Sequence, residues 1–171
     1  GETTRGRSLE PRPLNGQQSS VGPPGTQNDY SQWQQGGDPK TREAEKIKLP
    51  KLPDVVTKRQ WTAEVLTKCR GASGRRDKMC VQWLKRANDE SLTFEDLEWV
   101  PEPMATLDGK IASALIELCT GTFGRMVALK NQRSFDVADQ PLSSPQILRL
   151  IFESLKTTRS LNIFSTVLHL T

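Results

Sequence analysis

The stretch Leu107-Asp-Gly-Lys-Ile-Ala-Ser-Ala-Leu-Ile-Glu-Leu-Cys119 decides the fold class. Leu107, Ile111, Ala114, Leu115 and Leu118 recur at i, i+4, i+7, i+8 and i+11, which is one face of an α-helix. Ile116 and Cys119 widen that face, and so broad an apolar stripe predicts a helix at the centre of a bundle. Thr106 is the expected N-cap, with Asp108 in the first turn where its charge suits the helix dipole. Gly121 and Gly124 mark the expected exit. The stretch organises the fold and carries no chemistry of its own.

Upstream, two shorter helices are expected. Trp61, Val65 and Cys69, with Leu66 alongside, define a first helix over 54–73, capped by Asp54 or Thr57 and ended by Gly71-Ala-Ser-Gly74. Met79 or Cys80, Trp83, Leu84 and Ala87 form the apolar face of a second over 75–88, and the short linker implies an antiparallel pair. Thr93-Phe-Glu-Asp-Leu-Glu-Trp99 is a short helical turn capped by Thr93, before Pro101 and Pro103 break the chain. Downstream, residues 122–134 form a fourth helix with Phe123, Met126 and Val127 inward, and Asp136–Pro141 is a loop. Ser144 at the cap and Pro145 at N1 open a fifth, with Ile147, Leu148, Ile151, Phe152 and Leu155 as its buried stripe and Thr157–Ser160 as its end. The apolar segment 158–171 is either a further helix or a strand-like extension. An apolar terminus of this kind suggests a packing partner beyond the chain's end.

The fold class that results is all-α: a small bundle of about five helices over residues 54–157. A Gly/Pro/Gln/Ser-rich tail over 1–45 precedes it and is expected to be disordered, since it has too little apolar surface to offset an ordering entropy of roughly 1–2 kcal/mol per residue. Tyr30 and Trp33 are the tail's only aromatics, either stray groups or a sticker for a partner. Between tail and bundle, residues 46–53 read as an extended lead-in. Their alternation would lay Ile47, Leu49 and Leu52 against the domain edge, and Pro50-Lys-Leu-Pro53 also fits the pattern of a PxxP ligand.

Composition narrows the function classes. The 171-residue chain has a formal net charge of +4 and a pI of about 9.1, which permits contact with nucleic acid without demanding it. Three scattered cysteines, Cys69, Cys80 and Cys119, read as reduced core thiols of an intracellular protein, cytoplasmic or nuclear. No secretory signal and no apolar run of about 18 residues is present, so no membrane partner is expected. The chain begins at Gly1, as a fragment would.

No catalytic constellation, cofactor site or metal site emerges. His169 is the only histidine, with nothing to orient it toward a cysteine, and three separated Cys with one His do not make a zinc site. The carboxylates Glu43/Glu45 and Glu95/Asp96/Glu98 fall on expected solvated faces rather than in a cleft. Gly71-Ala-Ser-Gly-Arg-Arg76 looks like part of a phosphate loop but lacks the preceding strand and the GK[ST] ending, and Gly121-Thr-Phe-Gly124 fails likewise. One cluster is worth testing. Lys68, Arg70, Arg75, Arg76 and Lys78 flank the turn between the first two helices, with Lys85 and Arg86 further on. They are either phosphate contacts or an ordinary solvated surface. Without aromatic stacking platforms beside them, sequence-specific RNA reading is not indicated.

The order of these motifs carries a resemblance. Lys46-Ile-Lys-Leu-Pro-Lys-Leu-Pro53, Arg59-Gln-Trp61, Trp83-Leu84, Thr93-Phe-Glu-Asp-Leu97, Leu107–Leu115, Gly121-Thr-Phe-Gly-Arg125 and Ser144-Pro-Gln-Ile-Leu-Arg-Leu-Ile-Phe-Glu153 follow one another in series. The series resembles the Gag-like N-terminal region of copia-type LTR retrotransposon polyproteins, in the form abundant in dinoflagellates, over residues 44–160. The resemblance implies a non-enzymatic, capsid-like helical domain that self-associates around element RNA, with no small-molecule substrate. The family's Cys-x2-Cys-x4-His-x4-Cys knuckle is missing, so nucleocapsid-type RNA binding is not expected from these residues. Family members continue with more helices, and the chain is therefore expected to be a truncated piece. The alternative, from another class, is a helical adaptor that captures host proteins through its tail and the Pro-Lys-Leu-Pro segment.

Overall fold

Every regular element is a helix among the residues that the computed structural model describes, which are the backbone of 42–169 and the side chains of 42–159. Residues 1–41 of the expected tail, with Tyr30 and Trp33, lie outside them, as does the His169 side chain. The five α-helices are α1 (Lys58–Ser73), α2 (Met79–Lys85), α3 (Ala105–Leu118), α4 (Gly121–Ala138) and α5 (Ser144–His169). Short 3-10 turns at Arg86–Asn88, Asp96–Glu98 and Glu102–Met104 fill the connection from α2 to α3.

Helix α3 is the centre. Leu107, Ile111, Ala112, Ala114 and Leu115 are buried along it, and it packs against α1, α4 and α5. Around it, Trp61 and Val65 of α1, Trp83 and Leu84 of α2, Val127 of α4 and Ile147, Ile151 and Phe152 of α5 complete one continuous core. Leu118, at the end of α3, is only partly buried. Helix α3 also starts earlier than expected. A 3-10 turn at Glu102–Met104 runs straight into Ala105, so Thr106 lies inside the helix and not at its cap. Its hydroxyl donates instead to Glu43 Oε2 at 2.8 Å. The break after α3 falls at Cys119 and Thr120, which are extended. Gly121 and Gly124 therefore open α4 rather than close α3. Gly124 sits so close to the Cys119 carbonyl that a Cβ would collide with it. Helix α4 then runs to Ala138, past the expected loop start at Asp136, and ends on Asp139 in the left-handed region at φ 57°.

Two reciprocal caps set the register of the second half. Thr93 Oγ1 accepts the Asp96 N–H at 3.1 Å while Asp96 Oδ2 accepts the Thr93 N–H at 2.8 Å. Thr93 is thus the cap that the sequence suggests, although the turn it closes is 3-10. At α5, Ser143 Oγ accepts the Gln146 N–H at 3.2 Å and Gln146 Oε1 accepts the Ser143 N–H at 3.0 Å, which is a capping box. The cap is Ser143, one residue before the expected Ser144. Helix α5 does not stop at Thr157–Ser160. The Thr157 and Thr158 hydroxyls donate to the carbonyls of Glu153 and Ser154, and the helix continues to His169, so the segment that periodicity left undecided is helical to that point.

The lead-in is pinned to the bundle. Leu49 is buried, Ile47 and Leu52 pack against the core, and Trp61 Nε1 donates to the Pro50 carbonyl at 3.1 Å. Residues 42–45, which fall on the tail side of the expected boundary, are held as well. The Ala44 N–H donates to Ala72 O at 2.8 Å, and Lys110 Nζ bridges Glu43 Oε1 at 2.6 Å and Ala44 O at 2.9 Å. Glu43 is therefore a paired, half-buried carboxylate and not a solvated one.

Candidate nucleic-acid interface

The turn from α1 to α2 is shaped by three short-range devices. Gly74 ends α1 in the left-handed region at φ 66°, with its N–H on Gly71 O. A Cβ there would lie 2.5 Å from the Arg42 carbonyl oxygen, so both the backbone angle and the passing lead-in require glycine. Ser73 Oγ donates to Arg70 O at 2.6 Å and accepts the Arg75 N–H at 3.1 Å. Asp77 Oδ1 accepts the Met79 N–H at 3.1 Å, which starts α2 at Met79 instead of at residue 75 as expected.

These devices divide the five candidate basic residues. Arg75 is folded back as a fork onto Asp77, with Nη2 to Oδ2 at 2.5 Å and Nε within 3.2 Å of both carboxylate oxygens, and its side chain is only 8% exposed. That hydrogen bond holds the Asp77 carboxyl below its ordinary pKa. Arg75 builds the turn and does not face solvent as an RNA contact would. Lys68, Arg70, Arg76 and Lys78 are exposed. Lys68 has a loose pair with Glu64 at 3.7 Å, and Arg70 Nη2 makes a long contact of 3.4 Å with Arg76 O. Arg86, further on, is also committed to structure: Nη2 donates to Asp96 O at 3.2 Å, and the guanidinium lies over the Trp99 ring. Arg42 joins the exposed group. Its backbone touches Gly74, and its side chain is 88% exposed beside a weak 3.8 Å pair with Glu45. Nothing in one dimension signals this, because Arg42 precedes the cluster by a whole helix and a lead-in.

The three thiols lie in or against the core. Cys69, Cys80 and Cys119 are free. Burial pushes Cys69 far up, with the neighbouring Cys80 adding to it. It pushes Cys80 up to about 12, helped by Asp77, and Cys119 up to about 11. All three are protonated near neutral pH and pack as small apolar groups. Among the described residues no group of three or more His, Cys, Asp or Glu is placed to hold a metal ion, and no helix is long and apolar enough to cross a membrane.

A second polar cluster, absent from the sequence reading, lies where α5 begins. Asp108 is buried and accepts the Ser144 N–H at 2.7 Å, while Ser144 Oγ donates to the Asp108 carbonyl at 3.1 Å. Burial raises the Asp108 carboxyl above its ordinary pKa, with the Ser144 hydrogen bonds opposing the rise. Ser143 Oγ donates to Leu97 O at 2.6 Å and Gln146 Nε2 to Phe94 O at 3.0 Å. One turn later, Arg149 donates to three carbonyls, those of Ala87 (2.7 Å), Leu92 (3.0 Å) and Asp89 (2.7 Å). The cluster joins α5 to α3 and to the connection between α2 and α3.

Comparison of the chain with protein-family models, with curated proteins and with solved structures finds no match in any of the three.

Proposed function

We propose that the chain is a non-enzymatic, Gag-like structural module that self-associates and contacts RNA through the basic α1–α2 turn. The observation that carries this reading is the fate of the motif series. Trp61, Trp83, Leu107, Ile111, Leu115, Ile151 and Phe152 converge in one core of an all-α bundle, which is what a capsid-like domain would do with them. Lys68, Arg70, Arg76 and Lys78 support the RNA half of the proposal, since they remain exposed at one turn where each could neutralise a phosphate. The adaptor alternative is weakened because the Pro-Lys-Leu-Pro segment is tied to the core through Leu49 and the Pro50 carbonyl.

The test is light scattering across a concentration series, with and without single-stranded RNA, at low and high salt. Oligomers that grow with concentration, and grow further with RNA at low salt, are expected. A strictly monomeric chain under every condition overturns the proposal. Binding of proteins that survives Arg70→Ala, Arg76→Ala and Lys78→Ala together but is lost on removal of residues 1–41 would favour the adaptor.

A further inference from the structure

An open groove runs between α1 and α2, floored by Ala63, Leu66, Gly71 and Val81 and rimmed by Arg70 and Arg75. Gly71 leaves its middle bare: a Cβ built there meets nothing within 4 Å. The groove is thus apolar along its floor, cationic at its edge and shaped to accept a flat ring on exposed backbone. Its end is Gly74, where the Arg42 backbone makes contact. Arg42, the first of the described residues, therefore lies at the mouth of the groove.

We propose that this groove is the docking site for the chain's own segment Asn28-Asp-Tyr-Ser-Gln-Trp33, with Tyr30 and Trp33 on the apolar floor and Asp29 against the exposed Arg70. Three observations carry it. The first is composition: Tyr30 and Trp33 are the only aromatics before the bundle, and they sit in a stretch, 13–39, that contains Asp29 and Asp38 but no Lys or Arg. Its charge therefore complements the rim, where Arg70 is exposed and Arg76 and Lys78 stand nearby. The second is reach. Trp33 lies nine positions before Arg42. Such a linker spans up to about 30 Å when extended and roughly 15–18 Å on average. Helix α1 rises only about 16 Å between Ala63 and Gly74. The third is the tether itself, since a segment held this close presents an effective concentration of about millimolar and needs little intrinsic affinity to occupy the groove. Aromatic rings also stack readily on guanidinium planes, which gives the exposed Arg70 a second use. This inference does not depend on the RNA reading.

The experiment uses the full chain. A spin label is placed through Ser31→Cys in a chain carrying Cys119→Ala, the two remaining thiols, Cys69 and Cys80, being buried. Amide signals of Leu66, Thr67, Gly71 and Val81 should lose severalfold more intensity than those of α5. The broadening should vanish when Tyr30→Ser and Trp33→Ser are introduced. It should also vanish with Gly71→Leu, which fills the floor at an open helical position. Broadening spread evenly over the bundle, or unchanged by these substitutions, overturns the proposal. So does broadening that appears only between labelled and unlabelled molecules in a mixture, which would make a second copy the occupant.

Discussion

At the start of α5, polar side chains reach across the fold, whereas at the α1–α2 turn they reach only their own neighbours. Ser143, Ser144, Gln146 and Arg149 bond to Leu97, Asp108, Phe94 and the 87–92 loop. The turn's bonds, Ser73 to Arg70 and Arg75 to Asp77, close within a few residues. The difference separates groups consumed by architecture from groups left for something else. A charged side chain that satisfies distant backbone carbonyls fixes the packing of helices. Charges that remain exposed after the turn has closed have no structural task and are the ones available to a partner.

Arg149→Ala should have the largest effect. It removes three hydrogen bonds from a charged donor and leaves the carbonyls of Ala87, Asp89 and Leu92 without it, at a cost of about 3 kcal/mol in urea unfolding. Arg149→Lys should recover little, because an ammonium cannot span a fork of three acceptors. A loss below about 0.5 kcal/mol for both would erase the distinction between the two regions.

The comparison also shows what a single sequence makes legible. Helical periodicity found α3 and its buried face, the stripe of α5 and the all-α class, because a core is built from repeats a few residues apart. Boundaries moved at the helix starts. Thr106 falls inside α3 because the Glu102–Met104 turn runs on into Ala105, and its hydroxyl serves Glu43; Ser143 caps α5 with Gln146, while Ser144 bonds Asp108. Arg75 looked like its exposed neighbours because nothing in the string of basic residues says which one will fold back onto Asp77. Asp108 looked like an ordinary first-turn acid, since its burial depends on α5 arriving beside it.

Asp108 sharpens the comparison through pH. Asp108→Ala removes the acceptor of the Ser144 N–H and should cost about 1–3 kcal/mol. Asp108→Asn keeps an acceptor oxygen there and removes the buried charge, so it should be at least as stable as the parent at neutral pH. The folded carboxyl is raised above its unfolded value, so the native state binds the proton more tightly than the unfolded state. The parent's stability relative to Asp108→Asn is then greatest below the unfolded pKa near 3.8 and falls as pH rises through the folded value. Urea midpoints from pH 3 to 7 measure it, and other carboxylates cancel in the difference. A rise in the parent's relative stability with pH would mean that the Ser144 hydrogen bonds outweigh burial.

The smallest stability effect, and the most informative one for function, belongs to Arg76 and Lys78. Both are exposed, and nothing in the turn's architecture uses their side chains. Arg76→Ala with Lys78→Ala should therefore change unfolding free energy by no more than about 0.5 kcal/mol. Arg75→Ala serves as the contrast, since it breaks the fork on Asp77 and should destabilise more. If the turn binds single-stranded RNA, the double substitution should lower the slope of log affinity against log salt by about 0.7 for each phosphate no longer neutralised. Arg75→Ala should leave that slope largely unchanged while shifting stability. The reverse pattern would assign phosphate neutralisation to the residue that the turn holds back, and the division between structural and available charge at this turn would fail.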